Sequence, residues 1–200
     1  MAETLPKVYL ARHGQTAWSL SGQHTGRTDI PLTPEGEQNA KRLGDRLAKI
    51  KEPFALVLVS PVQRARRTAE LSGFGDRAVI EPDLYEWDYG QYEGRKTAEI
   101  RRERPDWQLF RDGVPGGETL EQVAARADRV ITRVRTSGGN ALLFSSGHIL
   151  RVLGARWCEC DASAGQRLNL GTASLSVLSY EHNLREPVLQ LWNDQSHLGH

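Results

Sequence analysis

Hydrophobic and polar positions alternate along the chain with two different periods. Val8-Tyr9-Leu10-Ala11 and Ala55 to Val59 are short apolar runs of the kind a strand covered on both faces requires. Between them Ala40, Leu43, Leu47 and Ile50 recur at three- and four-residue steps, one apolar stripe along a helix. Thr33 is placed to cap that helix, with Pro34 at its first position. Ser60-Pro61 repeats the pattern and predicts a second helix running through Arg67 to about Leu71. Residues 73–95 are rich in Gly, Pro and Asp and read as loop around a short strand at Ala78-Val79-Ile80.

Thr119 opens the most regular helix, in which Leu120, Val123, Ala124, Ala127, Val130, Ile131 and Val134 share one face. Gly138-Gly139-Asn140 ends it. Ala141 to Ser145 is another buried-type strand, and a helix follows from about His148 to Cys158. Ala173 to Tyr180 and Pro187 to Trp192 predict two final strands joined by a polar turn. This alternation predicts a single α/β domain over residues 1–192 with a largely parallel sheet. The polar stretch 193–200 is expected to be a loosely held tail.

Composition narrows the function classes. The chain has 200 residues, enough for one sizeable core, and its 38% hydrophobic and 26% charged content is that of an ordinary soluble protein. A net charge of +1 gives no footprint for nucleic acid or for an anionic membrane. Arg64, Arg66 and Arg67 cluster, as do Arg101, Arg102 and Arg104, but each run sits among acidic or helical residues. Met1 to Pro6 lack the pattern of a secretion signal, and no apolar run approaches the ~20 residues of a membrane helix, so a cytoplasmic protein is expected. Cys158 and Cys160 are too close for an ordinary disulfide and too few for a zinc site. The oligomeric state is not readable, and a homodimer is compatible with the sequence.

The candidate chemistry lies at three strand-to-helix junctions. They are Arg12-His13-Gly14-Gln15-Thr16, then Ser60 to Arg64, then Ser145-Ser146-Gly147-His148 with Arg151 one turn on. In a parallel sheet all three lie on the same edge, where ligands of open α/β sheets bind. Arginine forks suit phosphate oxygens, helix N-termini favour anions, and a neutral imidazole is a nucleophile. Gly14 would let the backbone approach a ligand closely. Taken singly, Arg64 also reads as a solvated helix residue and His148 as a cap or core histidine. A fourth piece, Leu84 to Gly94, alternates aromatics with Glu86, Asp88 and Glu93. An acid beside Trp87 and Tyr89 would be partly desolvated, as a proton donor needs to be. Composition leaves open which of the three acids that is.

These segments resemble the histidine phosphatase superfamily, in the branch containing cofactor-dependent phosphoglycerate mutase and its phosphatase relatives. The motifs are Arg-His-Gly-Gln-Thr-Ala-Trp at 12–18, Thr25-Gly26 with Asp29, Leu32-Thr33 with Gly36, and Ser60-Pro61 with Arg64-Ala65 and Thr68-Ala69. Leu84-Tyr85-Glu86, Tyr89-Gly90, Tyr92-Glu93-Gly94 and Gly117-Glu118-Thr119 continue the match. The resemblance implies a three-layer α/β/α sandwich and supplies its strand order. It implies His13 as a phosphorylated nucleophile, Arg12 and Arg64 as phosphate ligands, and Glu86 as leaving-group acid, without metal or cofactor. Residues 21–26, with Gln23, Thr25 and Gly26, resemble the substrate entrance.

Two positions depart from the pattern. The family's second catalytic histidine precedes a glycine and stands five residues ahead of an arginine. Here that position is Ser146, and His148 stands where many phosphatase members carry an auxiliary histidine. Either His148 reaches the phosphate or Ser146 donates a neutral hydrogen bond. Ser19 replaces the more usual asparagine and still offers a hydroxyl to a phosphate oxygen.

The expected activity is hydrolysis of small phosphomonoesters, sugar phosphates or bisphosphates among them, with Trp107, Phe110 and Arg111 lining the substrate site. Mutase relatives carry a longer stretch than Lys96 to Gly116 here, which favours hydrolysis over phosphoryl return. The alternatives are mutase-type transfer, or a phospholigand-binding protein whose turnover is weakened by Ser146.

Overall fold

Strand β1 (Val8–Arg12) sends Val8 and Leu10 to one side of the sheet and Tyr9 and Ala11 to the other, and the rest of the molecule follows from those two faces. The computed structural model describes residues 5–199; Met1 to Thr4 and His200, part of the expected N-terminal stretch and tail, lie outside the described residues. After β1 come α1 (Ala17–Ser21), α2 (Pro34–Leu47), β2 (Phe54–Val59), α3 (Gln63–Leu71) and β3 (Val79–Ile80). Next are α4 (Thr97–Glu103), α5 (Leu109–Asp112), α6 (Leu120–Thr136), β4 (Asn140–Ser145) and α7 (Gly147–Trp157). The chain closes with β5 (Leu175–Tyr180) and β6 (Pro187–Asp194).

The six strands form one sheet in the order β3-β2-β4-β1-β5-β6. The pairings among β1, β2, β3 and β4 are parallel, while β5 and β6 add antiparallel pairings at one side. Leu43 and Leu47 of α2 and Ala65 and Ala69 of α3 pack with Tyr9, Val57, Val59 and Phe144 on one face. Val123, Ala127 and Val130 of α6 and Leu150 and Leu153 of α7 pack with Val8, Leu10, Leu58 and Leu143 on the other. The result is a three-layer α/β/α sandwich whose mostly parallel centre brings the carboxyl ends of β1, β2 and β4 to one edge.

Thr33 caps α2 as expected, accepting from the Gly36 N–H at 3.0 Å. Ser60-Pro61 does not start α3. The Ser60 N–H instead donates to Phe144 at 2.9 Å, extending the sheet, and α3 begins at Gln63 after Val62. Gly14 serves packing: a Cβ there would sit 2.4 Å from the Gly36 carbonyl oxygen. The glycine therefore lets α2 close onto the loop after β1, whatever binds nearby.

The C-terminal stretch is also more ordered than its polarity suggests. Strand β6 runs past Trp192 to Asp194, and Leu198 is buried. Arg46 meets Asp194 at 3.2 Å, Arg42 donates to the Leu198 carbonyl at 3.3 Å, and His197 Nε2 donates to the Ala173 carbonyl at 2.9 Å. Long-range polar partners on α2, invisible to local pattern, hold it.

Candidate active site

The carboxyl ends of β1 and β4 open into a cavity of about 220 Å³. Arg12, His13, Ser19, Gln23, Thr25, Glu86 and His148 lie on its wall, and so do His24, Tyr89, Arg151, Asn169 and Leu170. Arg64, Ser146 and Gly26 do not, but they stand directly behind it.

His13 is almost fully buried, and its Nδ1 donates to the Gly14 carbonyl at 2.7 Å. That contact fixes the tautomer and leaves the Nε2 lone pair without a protein partner. Burial, and then the charges of Arg64 and Arg12, push the imidazole well below its ordinary range, so it is neutral at pH 7. A neutral imidazole with one nitrogen pinned and the other free is the form a nucleophile requires.

Arg12 holds the Leu170 carbonyl through Nη1, and its buried Nε has no partner. Arg64, a solvated helix residue if taken alone and a phosphate ligand by the resemblance, is fully buried. Its Nη1 donates to Thr28 at 3.0 Å, and its Nη2 to Thr25 at 3.1 Å and Gly26 at 2.9 Å. The guanidinium thus braces the loop over residues 25–28 from behind. Its Nε, like that of Arg12, is buried without a partner. Thr68 on the next turn of α3 accepts the Gly14 N–H at 3.0 Å and so ties α3 to the nucleophile loop.

Glu86 is the buried acid of the three candidates. Its Oε1 accepts from the Trp87 and Ile149 N–H groups, and its Oε2 from the His148 N–H, all at 2.9 Å. The N-terminus of α7, expected to hold a ligand anion, is therefore held by a protein carboxylate. The same substitution occurs at α3, where Asp29 Oδ1 accepts the Gln63 N–H at 2.7 Å. Glu93 is committed elsewhere, accepting the Gly26 N–H at 2.9 Å, and Asp88 accepts the Gly90 N–H at 2.9 Å.

Ser146 stands at the N-cap position of α7 without a side-chain capping bond and is 1% exposed; its hydroxyl accepts from Arg64 Nη2 at 3.4 Å, off the wall. His148, the second residue of α7, lines the cavity. Burial, then Arg151, His24 and Arg12, keep it well below the usual histidine range, while burial and Glu86 push Tyr89 well above the usual phenol range. The neutral Tyr89 hydroxyl and the neutral His148 ring share a hydrogen bond at Nδ1, 2.6 Å long; with Tyr89 as the donor the ring hydrogen sits on Nε2. His24 stacks on Tyr89 with centroids 4.8 Å apart, and burial lowers it to about 4.

Two expectations change here. Trp107 and Phe110 are buried in the core behind His24 and His148 and do not line the cavity, and Arg111 is spent on Asp112 at 2.8 Å on the surface. Ser19 lines the cavity, but its hydroxyl donates to the Thr16 carbonyl at 3.0 Å within a helix cap. Gln23 is likewise occupied, donating to Gly94 at 2.8 Å and accepting from Ser21 at 2.6 Å. Arg151, in the third junction motif, also lies on the wall. Asn169 and Leu170 carry no sequence signal, because the turn after α7 brings them in. Among the described residues no group of three or more His, Cys, Asp or Glu is placed to hold a metal ion, and no helix is long and apolar enough to cross a membrane.

Comparison with known proteins gives the family and supports the fold. The model of the histidine phosphatase superfamily (branch 1) matches residues 8–195, and the chain belongs to that family. An acid phosphatase of Mycobacterium tuberculosis is 37% identical over 182 residues, covering 90% of this chain and 89% of that protein. A sedoheptulose 1,7-bisphosphatase of Saccharomyces cerevisiae is 38% identical over 255 aligned positions, covering 96% and 94%. The solved structure of the open reading frame Rv3214 from Mycobacterium tuberculosis superposes with a TM-score of 0.90 at 35% identity, covering 94% of this chain and 97% of that one.

Proposed function

We propose that this chain hydrolyses small phosphomonoesters, sugar phosphates among them, in two steps through a phosphohistidine at His13. The observation that carries the reading is the His13 imidazole: neutral, pinned at Nδ1, free at Nε2, and on the same cavity wall as Arg12, whose guanidinium meets no carboxylate at salt-bridge distance among the described residues. The acid phosphatase and sugar bisphosphatase relatives support the substrate class.

In the first step the Nε2 lone pair attacks phosphorus in line and the ester P–O bond breaks. Arg12 meets the phosphoryl oxygens. Arg64 positions rather than binds, holding loop 25–28 and keeping His13 neutral through its charge. Glu86 in its protonated form gives its hydrogen to the leaving alkoxide. Its Oε2, which accepts a single N–H, is the oxygen with room to carry that hydrogen. In the second step the Glu86 carboxylate takes a proton from water as the water oxygen displaces His13 from phosphorus. Inorganic phosphate leaves and the neutral imidazole returns. His148, with Tyr89 as its positioning residue, offers Nε2–H to the phosphoryl group and fills the donor role that Ser146, off the wall, leaves open. Ser19, Gln23 and Thr25 border the substrate, and Gly26 shapes the loop behind them.

The test is turnover of p-nitrophenyl phosphate by wild type and His13→Ala. Loss of turnover in the variant is expected; full activity would remove the nucleophile assignment. Ser146 favours a second reading, a phospholigand-binding protein. Calorimetric phosphate binding with no hydrolysis between pH 4 and 8 would support that instead.

A further inference from the structure

Gly117-Glu118-Thr119 stands off the cavity wall and touches no reacting group, yet it is built against the loop that carries Glu86. Gly117 permits the approach: a Cβ there would sit 2.2 Å from the Asp88 carbonyl oxygen. Glu118 then pairs with the loop through its backbone. Its N–H donates to the Asp88 carbonyl at 3.0 Å, and its carbonyl accepts from Trp87 Nε1 at 2.9 Å. Thr119 caps α6, and Arg126, about two turns along that helix, reaches back to the Glu118 carboxylate.

The two side chains meet fork to fork, Arg126 Nε on Oε1 and Nη2 on Oε2, both at 2.8 Å, and both are largely buried. Burial acts to raise the Glu118 carboxyl, but the bonds from Arg126 and the Asp88 N–H outweigh it and hold the group below the usual carboxylate range, so Glu118 stays ionised. The Asp88 N–H reaches Oε2 at 2.9 Å. On its other side Arg126 donates from Nη1 to the Asp83 and Tyr85 carbonyls at 2.7 and 2.8 Å, and from Nη2 to the Glu86 carbonyl at 3.5 Å. All five guanidinium hydrogens are thereby used, two on Glu118 and three on the backbone of the acid loop. Arg129 and Arg133, on the same face of α6, continue the row onto Asp83 and Glu81.

This pair grips the backbone on both sides of the Glu86 side chain. Of the three N–H groups that Glu86 accepts, one belongs to Trp87, whose ring and whose neighbour Asp88 are tied to Glu118. The other two belong to α7, a separate element. A carboxyl carried on a loop meets the donors of α7 only while the loop is held at a fixed distance from that helix.

We propose that the Glu118–Arg126 pair positions the general acid: it sets where the Glu86 carboxyl stands relative to α7 and to the leaving group, without touching substrate. This rests on the phosphatase reading and extends it to two positioning residues that act through Glu86.

The experiment compares wild type with Arg126→Lys, which keeps the charge and loses the fork, and Glu118→Gln, which keeps the shape and loses the charge. The first readout is kcat/KM for glycerol phosphate, whose leaving group needs a proton, divided by kcat/KM for p-nitrophenyl phosphate, whose leaving group does not. It is measured well below each variant's Tm. A displacement of about 1 Å at a reacting group can cost about a hundredfold, so the ratio is expected to fall by about tenfold or more in both variants. Loss of folded protein lowers both rates together and leaves the ratio where it was. The second readout needs no turnover. Amide hydrogen exchange at Trp87, His148 and Ile149, the donors to Glu86, is expected to quicken by about tenfold or more relative to Leu10 and Leu143 in the central strands. A substrate ratio unchanged in Arg126→Lys overturns the positioning role and leaves the phosphatase reading intact; if that variant does not fold, the ratio in Glu118→Gln decides. If wild type hydrolyses neither ester, the phosphatase reading fails by itself and the exchange rates decide. Acceleration confined to the three donors then supports the positioning role, and uniform or absent acceleration overturns it.

Discussion

Glu86→Gln is the perturbation in which structure and chemistry separate most cleanly. The carboxylate accepts three N–H groups, two on Oε1 and one on Oε2, at the start of α7. A glutamine placed with its oxygen at the Oε1 position keeps two of them. Its NH2 then faces the His148 N–H, and one donor is left buried and unpaired. Losing one such charge-assisted bond costs about 1.5–3 kcal/mol, and losing a negative charge at a helix N-terminus adds roughly 0.3–1 kcal/mol. The sum is about 2–4 kcal/mol, or a Tm lower by roughly 4–16 °C for a chain of this size. Catalysis adds a second, independent signature. Loss of a general acid lowers the rate by about 10²–10⁴-fold where the leaving group needs a proton. An alkyl phosphate such as glycerol phosphate needs one, and p-nitrophenolate leaves without it. Differential scanning calorimetry measures the first effect, and kcat/KM for both substrates measures the second, because it reports phosphoryl transfer to His13 and not the later hydrolysis in which Glu86 also takes part. A Tm within 1 °C of wild type would refute the three-bond anchor, and an equal fall of kcat/KM for both leaving groups would refute the acid role.

Other perturbations probe the rest of the wall. Tyr89→Phe removes the hydrogen bond to His148 Nδ1, so the ring is free to carry its hydrogen on either nitrogen and kcat is expected to fall at neutral pH and to recover as acid protonates both nitrogens, with KM changing less than kcat. A kcat profile unchanged from wild type would dissociate Tyr89 from the tautomer. Ser146→His should change kcat by less than about tenfold, since His148 already supplies the donor; a gain of roughly a hundredfold or more, the worth of a missing oxyanion donor, would show that Ser146 disables the site. Stability should fall as pH drops below about 6.5. His13, His24 and His148 are all lowered in the folded protein, so the unfolded chain binds protons first, and the loss continues for His24 until about pH 4. Each contributes up to about 1.4 kcal/mol per pH unit in its window. Urea midpoints at pH 7, 6 and 5 that do not decline would contradict the buried neutral state.

Much of this architecture is legible from pattern because its signals are local. The apolar run at Val8 to Ala11, the stripe from Ala40 to Leu47 and the helix after Thr119 are each encoded locally, and the converging junctions follow from parallel pairing. What escapes the sequence depends on partners distant along the chain. Arg64 looks solvated until the carbonyls of residues 25–28 fold over it, and the end of the chain looks loose until Arg42 and Arg46 reach it. Trp107 and Phe110 look like a substrate lining because aromatic residues in a loop serve core and surface equally well. Arg151 lies in a motif, yet its place depends on the turn at Gly165 and Gln166, which no spacing announces.

The central claim is the chemical identity of the nucleophile. Wild type rapidly quenched in base during turnover, then digested and mapped, should carry an acid-labile phosphoryl group on His13, with phosphorus NMR placing it on Nε2 and His13→Asn carrying none. Turnover with no such adduct, or a phosphoryl group on His24, His148 or a serine, would contradict the account.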